Sequence, residues 1–306
     1  MLTLSGCSHL QPTGKPSPSR YKSNAYFQYR PTRTVLVIRI RVENMKHVPP
    51  SLQETRRFHS TDRLTEQAIQ ACTRLGREIA WENLSPLDLD QERALQNRIV
   101  TIGRADPAHA PFDMLRTRVL QNLRQNNWTS VAITSPTPSC GKSLVALNLA
   151  FSLAHQEDCR TLLIDLNLKH PAIGAMLGVR APASMEEFLR GHTATHNLFL
   201  RHGHNLAIGT NHQPVQFSAE LLQSQDAARI LQDLQAKLEP DVILFDMPAV
   251  LASDDVTAFL PNVDCAILVA AADSSTFDEV DECERYLAER TKVLGAVLNR
   301  CRYTDR

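Results

Sequence analysis

The stretch "SPTPSCGKSLVALNLAFSLA" (135–154) sets Gly141-Lys142-Ser143 at the head of an apolar, helix-like run. A phosphate-binding loop needs backbone N–H groups converging at a helix N-terminus, a lysine for the β- and γ-phosphates, and a hydroxyl for Mg2+. The usual spacing, G-x-x-x-x-G-K-[ST], asks for glycine at 136, where this chain has Pro136. Proline removes one N–H donor. Ser139 and Cys140 stand where glycine or another small residue is common, while Gly141, where close approach to phosphate matters most, is kept. The expectation is a working loop with fewer donors than usual.

Two acids complete the set. "TLLIDLNLKHP" (161–171) is an apolar run ending in Asp165. An acid at the C-terminal end of a strand beside such a loop can orient a nucleophile or a metal-bound water. "DVILFDMPAV" (241–250) adds four apolar residues followed by Asp246, the layout of a Walker B acid that holds Mg2+ directly or through water. Either acid alone is common in α/β proteins. Three motifs in this order and spacing are not.

The elements that must position them follow from hydrophobic periodicity. Short apolar runs at 130–135, 161–166, 206–209, 241–246, 265–271 and 293–299 alternate with helical stretches at 142–156, 218–237 and 275–290. Continuous apolar strands separated by helices predict a mostly parallel sheet covered by helices on both faces. Upstream, "FDMLRTRVLQNLRQ" predicts an amphipathic helix with Leu115, Val119, Leu120 and Leu123 inward. Residues 82–111 read as a linker carrying one short helix. Over 61–81, Leu64, Ala68, Ile69, Cys72, Leu75 and Ile79 fall on one helical face. The expected organisation is a basic, poorly ordered extension (1–60) with one strand-like run at 34–42, a helical segment and linker (61–107), and an α/β domain (108–306).

The zero net charge hides an asymmetry: ten basic residues against Glu43 and Glu54 leave +8 within 1–60, hence −8 in the remainder. Such an arm suits an anionic surface in principle. It forms no basic amphipathic helix and reads as a solvated extension, and no nucleic-acid partner is expected. No apolar run approaches the ~18 residues of a membrane span. The seven cysteines show no C-x-x-C pair and no metal-ligand spacing, which suits reduced thiols. Histidines 192, 196, 202, 204 and 212 crowd one stretch in no metal-site pattern and read as a surface connection.

Taken together, "ITSPTPSCGKS", "TLLIDLNLKHP", "DVILFDMPAVL" and "VLGAVLNR" resemble the bacterial tyrosine kinases of capsule and exopolysaccharide biosynthesis, within the MinD/ParA-like P-loop NTPases. "FDMLRTRVLQNL" and "SAELLQS" (218–224) support the resemblance, which covers roughly 108–301. It implies a nucleotide cradle of Ser139, Cys140, Gly141, Lys142, Ser143 and Leu144, with Asn299 on adenine. It further implies Mg2+ on Ser143, Asp165 and Asp246, and catalysis by Lys142, Asp165 and Asp246. Asp255 aligns with an acid often found after the Walker B strand. The implied setting is cytoplasmic, recruited to the inner membrane face by a transmembrane polysaccharide co-polymerase, or chain-length-determining protein.

The departures are specific. The acid pair after the second strand is Asp165-Leu166-Asn167, with Asn167 replacing an aspartate. The following basic pair is Lys169-His170 where arginine is usual. Of the assembly motif E-x-x-R-x-x-R only the last residue survives, as Ala110, Asp113 and Arg116, so a homo-oligomeric ring is in doubt. Tyr303 stands alone at the tail, whereas Tyr21, Tyr26 and Tyr29 cluster in the arm. Thr137 occupies the position where partition ATPases carry an additional lysine. The sequence therefore leaves three readings open: an ATP-dependent tyrosine kinase, a weakened nucleotide-sensing partner of the membrane protein, and a MinD/ParA-like ATPase.

Overall fold

The computed structural model describes residues 35–40, as backbone, and 75–301. The rest of the 1–60 extension, residues 61–74 of the expected helix, Cys7, Cys72, Tyr21, Tyr26, Tyr29 and Tyr303 lie outside the described residues.

Among the described residues the strands are β1 (Val35–Ile40), β2 (Ser85–Pro86), β3 (Ser130–Ser135), β4 (Thr161–Asp165), β5 (Phe199–His202), β6 (Leu206–Gly209), β7 (Val242–Ala249), β8 (Cys265–Ala271) and β9 (Lys292–Cys301). They form one sheet in the order β1-β9-β8-β3-β7-β4-β6-β5-β2. From β9 to β6 every pairing is parallel, while β1 joins β9 and β5 joins β6 antiparallel. The strand-like run at 34–42 thus contains β1.

Because β3, β4, β7 and β8 are apolar at successive positions, both faces of the sheet can be covered. Their side chains alternate between two cores. Ala132, Leu162, Ile164, Ile243, Phe245 and Leu268 point into one. Val131, Ile133, Leu163, Leu244 and Ile267 point into the other. The first core is closed by α6 (Met185–Leu189), α8 (Ser218–Gln223), α9 (Gln225–Leu238), α10 (Asp255–Phe259) and α11 (Phe277–Ala288). The second is closed by α3 (Ala110–Asn126) and α4 (Lys142–Ala154). Each buried aliphatic side chain contributes roughly 1.5–3 kcal/mol relative to exposure.

α4 is buried on nearly all sides, which explains why its sequence is apolar without a polar stripe. Its one central polar residue, Asn148, is fully buried and receives the N–H groups of Val100 (2.9 Å) and Thr101 (3.3 Å). Its Nδ2 donates to the Arg98 carbonyl (3.1 Å) and the Leu144 carbonyl (3.0 Å). Asn148 thereby staples residues 98–101 onto α4. The short helix within 82–111 is α2 (Gln91–Gln96), capped by Asp90.

Three local expectations change. The helix at 218–237 is two helices, broken at Ser224, whose extended backbone (ψ 146°) caps α9 while its hydroxyl donates to the Leu221 carbonyl (2.7 Å). The histidine-rich connection contains β5, with Leu198 and Phe199 buried beneath it. On the helix running through 75–82 (α1), Leu75 and Ile79 are exposed. The burial falls instead on Trp81 and Leu84, with the Trp81 indole donating to the Leu238 carbonyl (2.7 Å).

Candidate active site

The parallel strands β3, β4 and β7 deliver their C-terminal ends to one rim. β3 leads into the loop 136–141, which zips against the exit of β7: Val250 N–H donates to the Ser135 carbonyl (2.8 Å) and Leu251 N–H to the Pro136 carbonyl (3.1 Å). Pro136 is buried and forms part of this strand exit. The loop then turns twice through the left-handed region, at Ser139 (φ 66°) and Gly141 (φ 87°). At Gly141 a Cβ would land on the Asn299 side-chain amide, so only glycine fits. Ser139 carries the left-handed strain of a residue with a side chain, on the order of 1–2 kcal/mol.

Lys142 and Ser143 begin α4 and are 9 % exposed. The Ser143 hydroxyl donates to Asp246 Oδ2 at 2.6 Å. Asp246 lies directly across from Asp165 in the β4–β7 register, and both are fully buried. Asp165 accepts the N–H groups of Asn167 (3.2 Å), Ala172 (3.2 Å) and Ile173 (3.1 Å). The second oxygen of Asp246, Oδ1, is buried with no hydrogen-bond partner.

An unpartnered buried carboxylate oxygen is expensive, and its cost is visible in the electrostatics. Burial, then the charge of Asp246, pushes Asp165 well above the ordinary carboxylate range against its three backbone donors. Burial likewise raises Asp246, to about 6, against the pull of Lys142 and the Ser143 hydroxyl. Two buried carboxylates side by side remain ionised most readily with a cation between them. Ser143 and Asp246, with Asp165 adjacent, are hard oxygen donors of the type Mg2+ takes. The residues present fit that ion.

Other sequence-selected residues are placed differently. The Asn167 amide turns into its own loop and donates to the His170 carbonyl (2.7 Å). Asp255 is fully buried and bound to Ser218, whose hydroxyl sits 2.9 Å from both carboxylate oxygens, and to Lys169 Nζ (3.2 Å). Lys169 also reaches Asp254 (3.3 Å). Burial works against the lysine's charge, but hydrogen bonding and attraction from Asp255 and Asp254 outweigh it and raise its pKa. Asp255 is therefore part of a clasp joining the loops after β4 and β7 to α8. Asp113 and Arg116 also pair: Arg116 Nη1 donates to Asp113 (3.0 Å) and the Ser152 carbonyl (3.0 Å), and the Ser152 hydroxyl donates to Asp113 (2.6 Å).

Asn299, at the end of β9, is 5 % exposed and donates from Nδ2 to the Cys140 carbonyl at 3.0 Å. Ser275, in the loop after β8, meets the Cys140 thiol at 3.5 Å. Sequence reading missed Ser275 and Ser218. Ser275 lies in a loop and Ser218 opens α8; their partners lie far along the chain, and nothing in the local sequence marks these contacts.

No protein-family model matches the chain. The tyrosine-protein kinase YwqD of Bacillus subtilis is 29 % identical over 199 residues, covering 61 % of this chain and 79 % of YwqD. The tyrosine-protein kinase ptk of Acinetobacter johnsonii is 26 % identical over 188 residues, covering 60 % of this chain but 25 % of that protein. The kinase domain of the Escherichia coli tyrosine kinase ETK superposes with a TM-score of 0.60 at 25 % identity, covering 68 % of this chain and 83 % of that domain. The chain thus spans most of one named relative and about a quarter of another.

Proposed function

We propose that this chain, a relative of the bacterial tyrosine kinases, binds Mg·ATP at the head of α4 and transfers the γ-phosphoryl group to a tyrosine hydroxyl. The observation that carries the reading is Asp246: buried, bonded through one oxygen to Ser143, open at the other, and flanked by Asp165 on the neighbouring strand.

In this reading the backbone of Ser139 through Leu144 cradles the phosphates and Lys142 neutralises β- and γ-oxygens. Ser143 and Asp246 would hold Mg2+, which supplies charge neutralisation on those same oxygens. The tyrosine oxygen forms its bond to the γ-phosphorus as the bridging bond to ADP breaks, and the phenolic proton passes to Asp165. Phosphoryl transfer asks mainly for such positioning and charge balance. The adenine end falls to Asn299. The setting implied by the sequence resemblance is capsule or exopolysaccharide biosynthesis, at the cytoplasmic membrane face, beside a transmembrane co-polymerase. No helix among the described residues is long and apolar enough to cross a membrane itself.

A second reading, a nucleotide-sensing module without transfer, draws on Asn167. Its amide replaces a carboxylate and is committed to the His170 carbonyl. One experiment separates the two. The full chain is incubated with Mg·ATP, phosphotyrosine is mapped by mass spectrometry and ADP release quantified, with Lys142→Ala as control. Phosphotyrosine that vanishes in the control is the expected result. ADP release without phosphotyrosine would make the protein an ATPase, and nucleotide binding with neither would favour the sensing module.

A further inference from the structure

The phosphate loop of this chain has lost help that such loops usually have. Pro136 carries no N–H, and the left-handed turn at 139 is made by serine rather than glycine. A loop with fewer donors and a strained turn needs its curvature held from outside. The structure shows where it is held, at Cys140. The residue is fully buried, its carbonyl accepts from Asn299 Nδ2, and its thiol contacts the Ser275 hydroxyl while lying 3.2 Å from the Thr137 carbonyl. Ser275 is itself fixed by the Ala271 N–H, which donates to its hydroxyl at 3.0 Å. The Asn299 backbone is fixed as well, its carbonyl accepting from Ala272 N–H (2.9 Å). Gly141, next in the chain, has just enough room for the Asn299 amide and none for a side chain.

We propose that Asn299 is a positioning residue for the phosphate loop, holding the Cys140 carbonyl so that the N–H groups of the following residues face the phosphates. Ser275 is the second point of the same clamp. The inference rests on the nucleotide-site reading above and departs from the role that resemblance implies for Asn299, a contact to adenine alone. With Nδ2 committed to the loop, one side chain touches the phosphate end of the site while standing at its base end. Occupancy at either end then bears on the other.

The distinguishing probe is an anion without a base. Full-length protein and Asn299→Ala are titrated calorimetrically with Mg·ADP and with Mg·pyrophosphate, with thermal melts alongside. If Asn299 shapes the loop, both ligands weaken together, by about tenfold for one lost charge-adjacent hydrogen bond. Ser275→Ala weakens both by a smaller, parallel factor. If Asn299 serves only the base, ADP weakens while pyrophosphate binding is unchanged, and the proposal is overturned. Should Asn299→Ala fail to fold, Ser275→Ala decides: unchanged pyrophosphate affinity in it also overturns the clamp. Wild-type protein that binds neither ligand removes the nucleotide-site reading and this inference with it. Parallel losses in a protein that makes no phosphotyrosine leave the clamp standing and remove only the kinase.

Discussion

Two buried carboxylates on the same rim of the sheet are treated in opposite ways. Asp255 has every neighbour it needs: Ser218 spans both its oxygens and Lys169 supplies a countercharge. Asp246, within β7, has a hydroxyl on one oxygen and no hydrogen-bond partner on the other. Both are fully buried, so solvent does not make the difference. A satisfied buried charge is part of the fold, and an unsatisfied one is stored instability that a ligand must relieve. The Asp113–Arg116–Ser152 group belongs with Asp255: its charges are answered from within the chain.

The largest test of that contrast is Asp246→Asn. Phosphotyrosine formation should fall by on the order of 10²–10³-fold, the usual scale for losing a preorganised charge-stabilising group. Nucleotide-free protein should at the same time become more stable, by about 1–2 kcal/mol, because a buried charge with an unmet oxygen is gone. Activity assays and thermal melts on the same sample read both effects. A variant that lost stability would show that Asp246 is a structural acid, and the contrast with Asp255 would collapse.

Asp255→Ala should do the reverse. It strands the Ser218 hydroxyl and leaves Lys169 with only Asp254 and the Ser253 hydroxyl, so we expect a loss of about 2–3 kcal/mol in denaturant midpoints. Arg116→Ala follows at about 1–2 kcal/mol, since its side chain is 16 % exposed and its partners can be partly rehydrated. Because Arg116 is turned inward onto Asp113 and Ser152, sizing chromatography should show the same assembly state before and after the change. Dissociation of an oligomer at unchanged stability would return Arg116 to an intersubunit role.

Much of this architecture was legible because it is written in contiguous residues. β3, β4, β7 and β8 are each built on a short contiguous apolar run, and Lys142, Ser143, Asp165 and Asp246 each sit beside such a run in the sequence. What was not legible depends on pairs distant in sequence. Asn148 reads as an ordinary helix residue until its four backbone partners in 98–101 and at Leu144 are seen. The Asn299–Cys140 and Ser218–Asp255 contacts are of the same kind. Periodicity at Leu75 and Ile79 marks a helical face without saying what it meets, and both are exposed. β5 was hidden by composition, a short strand in a histidine-rich stretch with its buried residues confined to Phe199 and Leu200.

A smaller effect lies in the loop backbone. Ser139 is exposed and left-handed, so Ser139→Gly should relieve on the order of 1 kcal/mol of strain, offset in part by the greater freedom of glycine in the unfolded chain. The net gain in melting temperature should be slight. If the strain helps hold the donors in place, phosphate affinity should fall as stability rises. A rise in both would assign the curvature entirely to the clamp at Cys140.

The smallest expected effect is a control outside the site. His202 packs edge-on against Phe151, with ring centroids 5.2 Å apart, and burial, then the neighbouring His155, holds its pKa below the usual 6.5. Below pH 6.5 the unfolded chain takes up a proton that the folded protein resists. Stability should therefore decline as pH falls through 6.5 and level off once the folded pKa is passed. His202→Phe should flatten that slope in melting temperature and leave Mg·ADP affinity unchanged. A change in affinity would mean that this half-buried group, too, is coupled to the ligand, and that burial without a ligand role is a less secure guide than Asp255 suggests.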